Sequence, residues 1–223
     1  MSKRFFITGT DTEVGKTVAS SALLQAATAA GWCAVGYKPV ASGCEQTAEG
    51  LRNEDALALQ QHSAVPLRYE EVNPFAFAEP TSPHIVSAES DRPVSLAAMH
   101  RGLAALEKKS DWLLVEGAGG WYTPLGEGVS YADWVAEAQL PVVLVVGVRL
   151  GCINHALLTQ QAILASGLPL AGWIANQIVP PGGRHTEYMQ TLRAGLRAPL
   201  LGEIPHLNAA ERQADLGRWV RLP

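Results

Sequence analysis

The chain has 223 residues, 48% of them hydrophobic and 17% charged, with a formal charge of −4 at neutral pH and three cysteines. This balance excludes a disordered chain, a disulfide-stapled scaffold and a general nucleic-acid binder. The longest apolar run, Leu140 to Val148, is about half what a membrane helix needs. The start, MSKRFFITGTDTE, lacks a signal-peptide core, so a soluble cytoplasmic protein with no membrane partner is expected. No linker, repeat or low-complexity tract interrupts residues 1–223, which read as one domain. A charged share well below the usual 25% or so suggests that part of the surface is covered in an oligomer.

In chain order, Arg4–Thr8 reads as a buried strand that runs into a Gly/Thr/Asp loop, Gly9 to Gly15. A helix follows from Lys16 to about Ala30, with Gly31 as its stop. Ala34–Tyr37 is the next strand, ended by Pro39. Residues 53–61 form a helix capped by Asn53 or a neighbour. Five prolines between about 63 and 93 forbid long helices there. Ser95 to about Lys108 is an amphipathic helix. Trp112–Val115 is a strand running into Glu116 and a GAGG turn. Pro141–Val146 is a β-branched run of the kind buried on both faces. Cys152–Ser166 is a helix stopped by Gly167, Leu170–Ala175 a strand, 185–196 a helix and Pro199–Gly202 a short strand. After Pro205 the pattern weakens, and partial order is expected for 206–223. The alternation predicts an α/β fold: a mostly parallel sheet with helices on both faces, and a ligand outside the carboxyl ends of the strands.

The strongest motif is GTDTEVGKT at Gly9–Thr17. Five residues separate Gly9 from Gly15, so the strict phosphate-loop pattern is missed by one. The context of strand before and helix after is nevertheless the one a phosphate loop requires. Its amides and the helix end attract phosphate, Lys16 would neutralise phosphate oxygens, and Thr17 would hold Mg²⁺. Glu116, at the end of an apolar strand, supplies a hard oxygen for a second metal anchor. Lys38 by itself reads as a surface lysine, but it ends a strand beside the loop. Ser42-Gly43 adds a hydroxyl and an open turn. Asp55 alone reads as a helix-start dipole feature and becomes a metal ligand only in company. Asn176 has the donor and acceptor pattern to read adenine. Asn154 reads equally as a helix cap. The cysteines show no metal spacing, and the six histidines form no cluster.

Together GTDTEVGKT, GYKPVASG, LVEGAGGW and LGCINHA closely resemble the dethiobiotin synthetases of the biotin pathway, from Lys3 to about Pro205. The resemblance implies a single-domain P-loop NTPase fold and an ATP- and Mg²⁺-dependent ring closure of 7,8-diaminononanoate with CO₂. Its products are dethiobiotin, ADP and phosphate, by way of a carbamate and a carbamic–phosphoric anhydride. It implies that Thr12, Lys38 and Ser42 bind the carbamate, that Lys16 and Lys38 act on the phosphoryl group, and that Thr17, Asp55 and Glu116 hold Mg²⁺. Glu13, Val14, Gly15 and Val18 would line the nucleotide together with Gly117, Ala118 and Gly119, the last also touching substrate. Asn176, Gln177, Ile204, Pro205 and His206 would form the base pocket. Family members are homodimers. Leu150, Gly151, Cys152 and Asn154, with Tyr188, would therefore bind the substrate's carboxylate tail from the partner subunit. The switch ATPases of the septum-site and partitioning group carry a signature lysine where this chain has Asp11, which counts against that reading. A corrinoid amidotransferase would need a further glutaminase domain.

Overall fold

The computed structural model describes residues 2–126 and 128–223, apart from the side chain of Gln213. The main elements are β1 (Lys3–Gly9), α1 (Lys16–Ala29), β2 (Ala34–Tyr37), α2 (Glu54–Gln61), α3 (Leu96–Glu107), β3 (Trp112–Gly120), α4 (Tyr131–Ala138), β4 (Val142–Gly147), α5 (Cys152–Ala165), β5 (Leu170–Asn176), α6 (His185–Gly195) and β6 (Leu200–Ile204). The six strands form one parallel sheet in the order β6-β5-β4-β1-β3-β2. From β1 the chain moves to one edge, returns through β3 and continues on the other side. The strand order therefore reverses at β1, and ligands bind at such switch points.

Local chemistry accounts for most boundaries. Asn53 caps α2 by accepting from the Ala56 amide at 3.2 Å, and Ser95 caps α3 by accepting from Ala98 at 3.3 Å. β4 is buried along its whole length. Its alternate residues serve two cores: Val143 and Val145 pack on one face, Leu144 and Val146 on the other. No helix among the described residues is long and apolar enough to cross a membrane.

Three of the differences from expectation bear on the sheet and what packs against it. GAGG is not a turn: β3 runs on through it to Gly120, which pairs with Gly9. A side chain at Gly117 would lie 2.7 Å from the Phe6 ring, so glycine is what lets β3 pass the neighbouring strand. α4 was not expected. Its capping box is legible as Ser130-x-x-Asp133, with Ser130 N donating to Asp133 Oδ2 at 2.7 Å. It turns Tyr131 and Trp134 onto Phe6, beneath the sheet's carboxyl end. β6 extends to Ile204 rather than stopping at Gly202.

Beyond β6 the chain returns over α1. Gln25 Oε1 accepts from the amides of Leu216 (2.6 Å) and Gly217 (3.0 Å). Val220 bridges Gly202 antiparallel, and Arg221 N donates to Leu201 O at 2.8 Å.

Candidate active site

The loop between β1 and α1 owes its shape to two left-handed residues, Glu13 (φ 60°) and Gly15 (φ 81°). Such reversals of hand turn successive amides toward one concavity, which suits an anion. Val14 is tucked underneath. Side chains at Gly9 and Gly147 would lie 2.5 and 2.9 Å from it, so these glycines make room for the loop's own valine. Asn176, at the end of β5, donates from Nδ2 to Val14 O at 2.9 Å, and a side chain at Gly15 would collide with it. Lys16 is buried, with Nζ 3.2 Å from Asp11 O. Burial first, and the neighbouring Lys38 charge second, lower its pKa to about 8.

Beside the loop lies a buried charge cluster. Glu116 is fully inaccessible, and its Oε1 accepts from Lys38 Nζ at 2.7 Å and from Thr17 Oγ1 at 3.0 Å. Lys38 Nζ also lies 2.9 Å from Asp55 Oδ2. Burial alone would lower the lysine's pKa. The carboxylates of Glu116 and Asp55 outweigh it and hold the ammonium charged, well above its usual range. Burial would likewise raise the Asp55 carboxyl, but Lys38 and the Thr17 hydroxyl keep it below the ordinary value. Glu116 Oε2 is buried without a partner. An orphaned carboxylate oxygen in such a place costs free energy unless something positive meets it.

Toward β5 and β6 a recess of about 110 Å³ is lined by Glu13, Gly15, Val18, Asn176, Gln177 and Pro205. Ile178, Leu207 and Arg212 complete it, and sequence reasoning missed these three. Ile204 is fully buried below it. His206 turns aside, its Nδ1 3.1 Å from Gln177 O.

The sequence matches the family described as AAA domain across residues 3–214. It is 63% identical over 222 residues to the ATP-dependent dethiobiotin synthetase BioD 1 of Escherichia coli K12, covering all of this chain and 99% of that one. It is 66% identical over 223 residues to the BioD of Serratia marcescens, covering 98% of the latter. The chain belongs to the ATP-dependent dethiobiotin synthetase family. Among solved structures, the chloroplast FtsY of Physcomitrella patens superimposes with a TM-score of 0.50 at 16% identity, over 97% of this chain and 64% of that one. That likeness concerns the fold alone.

In this dethiobiotin synthetase-family chain, Asp11 is bound within its own subunit. Its Oδ2 lies 2.7 Å from Arg149 Nη2, and its Oδ1 accepts from Thr12 N at 2.8 Å. Thr12 itself is exposed, and Ser42 is half-buried just beyond the Val40–Ala41 strand. Gly119 takes φ 63°, and Thr123 Oγ1 fills the place of its missing side chain. The expected tail residues gather elsewhere. Leu150 and Tyr188 line a cavity of about 350 Å³ together with Arg149, Val179 and His185. Gly151 occupies the cap of α5, so Asn154 is an exposed first-turn residue and not the cap. Cys152 is buried, and its amide donates to Arg149 O at 3.1 Å. Among the described residues, Leu150 and Tyr188 line a different cavity from the one lined by Glu13 and Gly15.

Proposed function

We propose that this enzyme carboxylates and closes 7,8-diaminononanoate to dethiobiotin at the expense of ATP, the penultimate step of biotin biosynthesis. The observation that carries the reading is Lys38, a buried ammonium held charged by Glu116 and Asp55 beside a phosphate loop. One substrate amine attacks CO₂ and loses a proton, giving a carbamate. Thr12, Lys38 and Ser42 bind that anion. A carbamate oxygen then attacks the γ-phosphorus and ADP leaves. Charge gathers on the transferring group, where Lys16, Lys38 and the loop amides stabilise it. The second amine attacks the anhydride carbon, phosphate leaves and the ureido ring closes. Holding both amines of one molecule makes this last step intramolecular.

Mg²⁺ fits the residues present. Glu116 offers a buried, unpartnered Oε2, with Thr17 Oγ1 bonded to the same carboxylate and Asp55 on the other side of Lys38. Magnesium is a hard ion that takes oxygen ligands and usually keeps waters and substrate phosphates in its shell, so one or two protein carboxylates suffice. Thr17, Asp55 and Glu116 would hold the ion, whose chemistry is to offset the negative charge of the phosphates.

A homodimer completes the site in this reading. Leu150 is 87% exposed and Val179 is also open, and both line the cavity containing Tyr188. A partner subunit would cover this apolar face and present the start of α5 to the substrate carboxylate. The test is ADP release and dethiobiotin formation from diamine, bicarbonate, ATP and Mg²⁺. Diamine-dependent ADP release that Lys16→Ala abolishes is the expected result, and ADP release indifferent to diamine overturns the reading.

A further inference from the structure

Lys38 follows Tyr37, the last residue of the edge strand β2, and lies just outside the sheet. Its amide and carbonyl are taken by the Tyr69–Asn73 segment instead: Lys38 N donates to Val72 O at 2.9 Å, and Lys38 O accepts from Asn73 Nδ2 at 2.7 Å. Asn73 Nδ2 also donates to Phe75 O at 3.3 Å, and Asn73 Oδ1 accepts from the Tyr69 hydroxyl at 2.8 Å. The same hydroxyl accepts from Asn53 N at 2.8 Å. Asn53 is the cap of α2, and Asp55 stands in that helix's first turn. A single chain of bonds thus runs from the backbone of Lys38 through Asn73 and Tyr69 to the start of the helix that carries Asp55.

Asn73 is 2% exposed, Tyr69 6% and Asn53 9%. Tyr69 accepts once and donates once, and both ends of the Asn73 amide are used. A fully satisfied buried network of this kind specifies one arrangement. The Arg52 guanidinium closes it from outside, 4.3 Å from the centre of the Tyr69 ring. None of these four side-chain bonds is made to residues Gly9–Thr17.

We propose that Tyr69 and Asn73 are positioning residues for the ring-closing reaction: they set the separation of Lys38 and Asp55, and so place the Lys38 ammonium against the carbamate and the transferring phosphoryl group. The inference rests on the catalytic role assigned to Lys38 above. Displacing a catalytic group by about 1 Å costs up to 100-fold in rate. Loss of the Tyr69 hydroxyl leaves the ring in place and the Asn73 amide still bound to Lys38, so a smaller loss is expected.

The test is the full-length enzyme with Tyr69→Phe, Asn73→Ala and both together, assayed with diamine, bicarbonate, ATP and Mg²⁺. Tyr69→Phe should lower kcat, measured at saturating ATP and Mg²⁺, about tenfold. The double variant should be no slower than Asn73→Ala alone, since both residues belong to one chain of bonds. A Tyr69→Phe enzyme that melts earlier but keeps wild-type kcat overturns the proposal and leaves a purely structural role. Should Asn73→Ala fail to fold, Tyr69→Phe decides the question alone. Wild-type enzyme without diamine-dependent turnover would sink the parent reading as well; a working wild type with an unimpaired Tyr69→Phe sinks only this one.

Discussion

Lys38 and Glu116 are worth most as a pair. Glu116 has no access to solvent, and Lys38 supplies its charge partner at 2.7 Å. Removing one member of a buried pair leaves the other uncompensated, at about 3–5 kcal/mol. Lys38→Met should therefore lower the denaturant midpoint as well as turnover, and adding Glu116→Gln should return most of the stability without the activity. Chemical denaturation of wild type, the single variant and the double variant checks this, and a Lys38→Met protein as stable as wild type would contradict it. By itself in the sequence Lys38 reads as a surface lysine, which carries no such penalty; its burial adds one.

At the scale of elements, the Tyr69–Val72 turn is tied to the end of α3 by an outer ion pair. Glu71 Oε1 lies 2.6 Å from Lys109 Nζ, and its Oε2 accepts from Arg68 N at 3.0 Å. These bonds, Lys109 first, hold the Glu71 carboxyl down at about 2. A carboxyl depressed on folding stabilises the protein above its unfolded value of about 4.3, and that contribution fades as pH falls toward 2. Lys109 and Arg68 are open to solvent, so its size is about 1 kcal/mol or less. The stability gap between wild type and Glu71→Gln should accordingly be open at pH 7 and closed near pH 2; a gap independent of pH refutes the assignment. β3 offers a second test. Gly117→Ala would push a methyl group into the buried Phe6 ring at 2.7 Å. Overpacking of this kind costs about 1–3 kcal/mol, which thermal unfolding would register.

For the whole molecule, the return of residues 216–217 over α1 ties the last part of the chain to the helix that follows the loop. Gln25 Oε1 takes two backbone amides there. Gln25→Ala strips both of their partner, and each unsatisfied amide that stays buried costs about 1–3 kcal/mol. The expected outcome is a lower melting temperature and faster hydrogen exchange at Leu216 and Gly217. Unchanged exchange at those two amides would show that Gln25 does not hold the segment.

The sequence by itself determined the parallel sheet and the loop at Gly9–Thr17. Strand runs such as Val142–Val146 and the loop at Gly9–Thr17 are local patterns, and local patterns survive without tertiary context. The short helix α4 and the Tyr69–Asn73 segment were less legible, because each spans about one or two turns and borrows its stability from the core beneath it. Only the tertiary structure decided how charge is distributed. Nothing in the order of residues says that Lys38 lies between Glu116 and Asp55, that Asp11 is claimed by Arg149, or that Val14 fills the space left by Gly9 and Gly147. Those facts depend on pairs far apart in the chain, where burial sets the strength of each interaction and packing chooses the partner.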